Sequence, residues 1–167
     1  MIDLKARPFN LTEEQIDWVN SVRDSLTDEE LIGQLFMPIG FSGEPEYLEH
    51  VILRHHVGGI MYRNGEMEEM QNTHRYLQEH SKVPMLIGSN LEYGGNGAAV
   101  NGTVIGTQMQ IAATGSSKHA YELGKAAAKE GKAVGVNWAF APVADIDRNW
   151  RNPITNYRTY GNDPDFV

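Results

Sequence analysis

Along this chain, apolar residues recur at three-to-four-residue spacing in some stretches and in short unbroken runs in others. The two patterns alternate, which predicts helices set between buried strands. Ile16, Val19, Val22 and Leu26 mark a helix from Thr12 to about Ser25, with Thr12 as its cap, Glu13 and Glu14 in its first turn, and Trp18 packed beside the apolar stripe. Thr27 and Glu30 are spaced as a capping box for a short second helix, whose apolar face opens with Leu31 and Ile32. Four apolar runs have strand character, over residues 35–39, 58–63, 84–90 and 136–141. The last is bounded by Gly135 and Pro142, is too short for an ordinary helix, and reads as a buried strand. Between the runs, helices are expected over 43–56 with Tyr47, Leu48, Val51 and Ile52 inward, and over 66–80 with Met67, Met70 and Leu77 on one side. A short helix is expected over 107–113. A longer one, capped by Ser116 or Ser117, runs to about Ala133, where Ala120, Leu123, Ala127 and Ala128 are small enough to lie close to a sheet.

Strands separated by helices make a parallel sheet with helices outside and right-handed crossovers. Two architectures satisfy that pattern, an open doubly wound sheet and part of an eight-fold barrel, whose full form usually needs about 250 residues. At 167 residues a barrel would be incomplete. No repeat of fixed period, low-complexity tract or linker divides the chain, so residues 1–167 are expected to form one domain. With 41% hydrophobic and 22% charged residues the chain should be soluble, and no stretch has the length of a membrane span. A net charge of −8 argues against a nucleic-acid partner and suits a neutral ligand. The absence of cysteine removes disulfides, thiolate catalysis and sulfur-based zinc sites. The start, MIDLKARPFNLTEEQ, lacks the apolar core of a leader, and cytoplasmic residence is expected. No metal or cofactor is expected. Adjacent His55 and His56 point too far apart on a helix to share an ion, His50, His74, His80 and His119 fall mostly on polar faces, and no nucleophile elbow or phosphate loop occurs.

Polar chemistry concentrates in two loops that follow strands. Beyond 136–141 come Asp145, Asp147, Arg148, Arg151 and Arg158 beside Asn149, Asn152, Asn156, Trp150 and Tyr157. Charged forks, amides and flat aromatic faces suit a polyhydroxylated ligand, although an ordered loop whose ions pair with one another accounts for the same content. Beyond 84–90 the segment SNLEYGGNGAAVNG supplies Asn90, Glu92, Tyr93 and Asn96 around Gly94, Gly95 and Gly97. Those glycines permit close ligand approach, or simply a tight turn, and GNGAAV lacks the third glycine of a dinucleotide fingerprint. Glycoside hydrolysis uses two carboxyl groups about 5–9 Å apart. Asp145 and Asp147 at one strand end form one candidate pair, and Glu92 with Asp145 forms another.

With these residues in order, the chain resembles the amino-terminal barrel domain of family 3 glycoside hydrolases, in their β-N-acetylglucosaminidase-like branch. The resemblance runs nearly end to end through LTDEELIGQLF, VGGIMYRNG, PMLIGSNLEYGG, QMQIAATGS, GKAAAKEGKAVGVNWAFAPVADID and RNPITNYRTYGNDPDFV. It implies an α/β fold made of the first half of a (β/α)8 TIM barrel, about four β/α units behind N-terminal helices. It also implies a fragment of a retaining β-glycosidase of β-N-acetylhexosaminidase or β-glucosidase type, with a carbohydrate substrate. Arg158 would occupy the arginine of the family's Arg-Ser/Thr-Phe/Tyr-Gly segment, which contacts sugar hydroxyls. Asn90 stands where the family has an aspartate that bonds hydroxyls at the far end of the sugar, and an amide there loses the charge-assisted acceptor. Glu92, Gly94 and Gly95 match the rest of that segment, with Tyr93 inserted. The family's lysine-histidine segment, its acid/base histidine and its nucleophilic aspartate are expected beyond residue 167, which leaves Glu92, Asp145 and Asp147 as the catalytic candidates within this chain. The same lack fits a carbohydrate-binding or scaffold protein without chemistry of its own. Four β/α units leave two open sheet edges, so self-association, as a two-fold dimer, is expected.

Overall fold

The structure, a computed structural model, describes residues 2–167; the side chain of Val51, expected to point inward, lies outside the described residues. Thr12 and Thr27 start α1 (Glu13–Ser25) and α2 (Asp28–Gly33) through full capping boxes. Each hydroxyl accepts from the N–H three residues on, and the Gln15 and Glu30 side chains accept from the N–H of the cap in return. There follow β1 (Ile39–Gly40) and α3 (Pro45–Tyr47), which continues as a π-helical turn (Leu48–Ile52) and a 3₁₀ turn (Leu53–His55). The rest is β2 (Gly59–Tyr62), α4 (Met67–His80), β3 (Leu86–Ser89), a 3₁₀ turn over Gly95–Gly97, α5 (Gln108–Ala112), α6 (Ser117–Ala133), β4 (Trp138–Ala139) and a 3₁₀ turn over Asn156–Arg158.

The strands are parallel and lie in chain order, β1-β2-β3-β4. An open doubly wound sheet reverses its order at a switch point, whereas a barrel winds in one direction only, so the sequential order is that of a barrel's first four units. The register sets Ile39, Met61, Gly88 and Trp138 side by side on one face. On the other face Ile60 pairs with Ile87, and both are fully buried in one cluster with Leu48, Ile52 and Leu77. The core therefore lies between the sheet and its helices. The first face is open, with Ile39, Leu86 and Trp138 each at least 40% exposed. Phe140 folds back over that face, against the spot where a β-carbon on Gly88 would sit.

The structure departs from the sequence expectations at several places. Residues 35–39 do not form one strand: Leu35 and Phe36 extend α2 as turns, their N–H groups donating to the Ile32 and Gly33 carbonyls, and only Ile39 joins the sheet. Leu31 and Ile32 are exposed, as is Trp18, and α1 buries no residue, because these N-terminal helices lie at the outside of the fold. The run 136–141 pairs only at Trp138–Ala139, and both residues are exposed. Two causes act there: β4 is an edge strand, and at its start the Asn137 side chain joins its backbone in bonding β3, Oδ1 accepting from Ile87 N–H and Nδ2 donating to the Met85 carbonyl while the Asn137 N–H donates to the Ile87 carbonyl. Ser116 holds the cap position of α6 without a side-chain capping bond, and Ala128 is exposed where Leu123 and Ala127 are buried. His74 is not on a polar face. It is buried against Tyr62, with Nδ1 bonded to the Val134 carbonyl.

Candidate functional site

The site is built where β3 ends, on the carboxyl edge of the sheet. Ser89 Oγ donates to the Gly97 carbonyl at 2.6 Å, which folds the glycine-rich loop back onto its own strand. Glu130 of α6 fixes the far side of that loop, accepting from both the N–H and the hydroxyl of Thr103 at 2.7 and 2.6 Å. Those two bonds hold the Glu130 carboxyl below the usual carboxylate range. Gly95 lies so close that a β-carbon would run into the Glu130 carboxylate, so a glycine is required there. Asn64, beyond β2, donates to the Asn96 carbonyl at 2.7 Å and ties the loop to the neighbouring unit.

Held this way, the loop presents Glu92, only 8% exposed, to Arg158 on the last 3₁₀ turn. Arg158 Nε donates to one carboxylate oxygen at 2.8 Å and Nη2 to the other at 2.7 Å, while Nη1 donates to the Ile154 carbonyl at 3.3 Å. The bond to Glu92 raises the pKa of Arg158 above its ordinary value, burial opposing it less strongly. Gln108, fully buried at the start of α5, donates to the Glu92 backbone carbonyl at 3.2 Å. The Tyr93 and Tyr157 rings lie 6.4 Å apart, one next in sequence to each member of the ion pair. Burial, and then a bond to Tyr157, raise the Tyr93 phenol's pKa.

The two polar loops of the sequence are thus brought together through Glu92 and Arg158. Asn90 is exposed at the end of β3, and its backbone carbonyl packs against Gly97. Asp145 and Asp147 are not on a strand: β4 ends at Ala139, so strand alternation does not pair them. Asp145 is exposed, and Asp147 is half-buried with its N–H donating to the Gly161 carbonyl. Among the described residues neither makes a side-chain bond to Glu92 or Arg158. Both Glu92 oxygens are engaged by Arg158, which removes Glu92 from an acid or nucleophile role in this geometry. Trp150 is 75% exposed beneath the Arg151 guanidinium, 5.1 Å from the ring centre. The arrangement offers directed donors, amides and flat rings, the groups that hold hydroxylated rings. Among the described residues no three His, Cys, Asp or Glu side chains group to hold a metal ion, and no helix is long and apolar enough to cross a membrane. Gln108 and Glu130 stand within the segments QMQIAATGS and GKAAAKEGKAVGVNWAFAPVADID but were not singled out from sequence, since their partners lie 16 and 27 residues away.

The model of the glycosyl hydrolase family 3 N terminal domain matches residues 27–167. A beta-N-acetylglucosaminidase/beta-glucosidase of Cellulomonas fimi is 43% identical over 163 residues, covering 98% of this chain and 29% of that protein. Among solved structures, a beta-glucoside phosphorylase, BglX, superposes with a TM-score of 0.89 at 43% identity, over 98% of this chain and 30% of its own. A family 3 beta-N-acetylglucosaminidase from a Paenibacillus species gives a TM-score of 0.78 at 30% identity, over 85% of this chain and 29% of its own. The chain spans less than a third of the length of these relatives.

Proposed function

The chain belongs to the glycosyl hydrolase family 3 N-terminal domains, and from that premise we propose that it is the first half of the (β/α)8 barrel of a retaining β-glycosidase acting on β-N-acetylhexosaminides or β-glucosides. Residues 1–167 are one partial barrel domain in this reading, and it works in the cytoplasm. The carrying observation is the Arg158–Glu92 pair on the carboxyl edge of the sheet, the edge on which barrel enzymes bind their substrates. Arg158 and Asn90 contact sugar hydroxyls. The remainder of the barrel supplies the aspartate that attacks the anomeric carbon, the acid that protonates the departing oxygen, and then acts as base for the water that hydrolyses the glycosyl-enzyme.

The test is release of 4-nitrophenol from aryl β-N-acetylglucosaminides and β-glucosides. The complete barrel protein should turn over at least one of them, and the purified 167-residue chain neither, because both catalytic groups lie outside it. Titratable hydrolysis by the 167-residue chain would overturn this and return attention to Glu92, Asp145 and Asp147. The similarity to a beta-glucoside phosphorylase favours a second reading, in which phosphate replaces water as acceptor of the glycosyl group. A rate that rises with inorganic phosphate, with sugar phosphate as product, separates it from hydrolysis. On its own the chain associates with a second copy through the open face of its sheet.

A further inference from the structure

A guanidinium carries five N–H bonds, and in Arg158 three are committed: Nε–H and one Nη2–H to Glu92, and one Nη1–H to the Ile154 carbonyl. Two remain, one on each terminal nitrogen, on a side chain that is 34% exposed. The carboxylate that holds the group is itself fixed. Glu92 is 8% exposed, Gln108 holds its backbone carbonyl, and the loop that follows is fastened at Ser89, Glu130 and Asn64. A long arginine side chain is otherwise free to sample many rotamers, and ordering it on binding costs affinity and rate.

We propose that Glu92 is a positioning residue that fixes Arg158 so that the remaining N–H bonds of Nη1 and Nη2 meet the oxygens of two neighbouring hydroxyl groups of a pyranoside. The site then selects glycosides that keep that vicinal hydroxyl pair. This inference rests on the carbohydrate reading above. Neighbouring N–H donors in one rigid plane match paired acceptors, and the match is lost when the plane turns.

The experiment compares 4-nitrophenyl β-glucoside with analogues lacking one ring hydroxyl at a time, on the complete barrel protein carrying this chain. In the unaltered protein, removing either hydroxyl of the recognised pair should lower kcat/KM about 10- to 100-fold. In Glu92→Gln the same removals should cost less than about 3-fold, and Glu92→Gln/Arg158→Ala should be no worse than Arg158→Ala alone. Glu92→Asp keeps the charge but withdraws the carboxylate by one methylene, and should behave as Glu92→Gln does. In the 167-residue chain, the NMR signal of Arg158 Nε–H should be protected from solvent exchange and lose that protection in Glu92→Gln, which reads the pairing without any catalysis. A deoxy-sugar pattern unchanged in Glu92→Gln but erased in Arg158→Ala overturns the positioning role and leaves the carbohydrate reading standing. A pattern unchanged in Arg158→Ala as well removes Arg158 from the sugar site, and this inference falls with it.

Discussion

Arg158 balances a carboxylate that is only 8% exposed, so its replacements separate recognition from stability. Arg158→Lys keeps a positive charge near Glu92 but cannot meet both oxygens and a sugar at once. In the complete protein kcat/KM should fall by a factor equivalent to about 1–3 kcal/mol, with little change in melting temperature. Arg158→Ala leaves the Glu92 charge unpaired and should also cost about 3 kcal/mol of stability in urea melts. Steady-state kinetics and denaturation on the same preparations check both halves. A large fall in melting temperature with unchanged kinetics for Arg158→Lys would make the arginine a fold residue.

His74 makes the fold sensitive to acid. Burial lowers its pKa from 6.5, and Nε2 has no partner among the described residues, so a proton there is disfavoured in the folded state. The unfolded chain takes up that proton more readily. The group's stabilising contribution is therefore complete above the ordinary histidine value and is lost as pH falls through the folded one. Urea midpoints at about pH 7.5 and about pH 5 should differ more for the natural protein than for His74→Gln. Equal differences would place the acid sensitivity elsewhere.

Among the elements, the glycine-rich loop depends on one helix residue. Glu130→Ala removes both bonds to Thr103, and the Thr103 N–H should exchange about tenfold faster or more while amides in β3 keep their protection. Uniform acceleration would mean that the loop and strand open together. Thr27→Ala should destabilise by about 1 kcal/mol through loss of the capping box of α2. That cap was legible because its signal is local, a threonine and a glutamate three residues apart. The helices of 66–80 and 117–133 and the two central strands were legible for the same reason, since periodicity reports an element with its apolar side covered. Legibility fails where the deciding partner is distant or is not there. The edge strands β1 and β4 are two residues each because each pairs on one side only, and the Asn137 side chain adds a bond to β3 50 residues away. In the candidate site, residue types and loops could be read from sequence, but Glu92 holding Arg158 across 66 residues could not.

For the molecule as a whole, surface area is the informative quantity. The chain exposes 11035 Å², whereas a compact monomer of its mass exposes about 8,300 Å². The excess, about 2,700 Å² per copy, is large enough for an obligate interface. Its location fits that use. The open face of the sheet carries Ile39, Leu86 and Trp138, both edge strands present backbone groups with no further strand among the described residues, and an apolar groove beside α6 runs past Leu123, Ala127 and Phe166. Even 400 Å² of this surface left apolar and wet forfeits about 10 kcal/mol at about 25 cal/mol per Å², comparable with the whole stability of a domain. In a complete barrel the remaining units cover the face. For the 167-residue chain alone a second copy is the available cover, and a two-fold arrangement buries the same patch of both. Light scattering at micromolar concentration should therefore report a dimer, and Trp138→Glu, which puts a charge on the β4 edge of the face, should disperse it into a less stable monomer. A compact, cooperatively melting monomer of the unaltered chain would mean that it covers its own open face, and would overturn the incomplete-barrel account of its association.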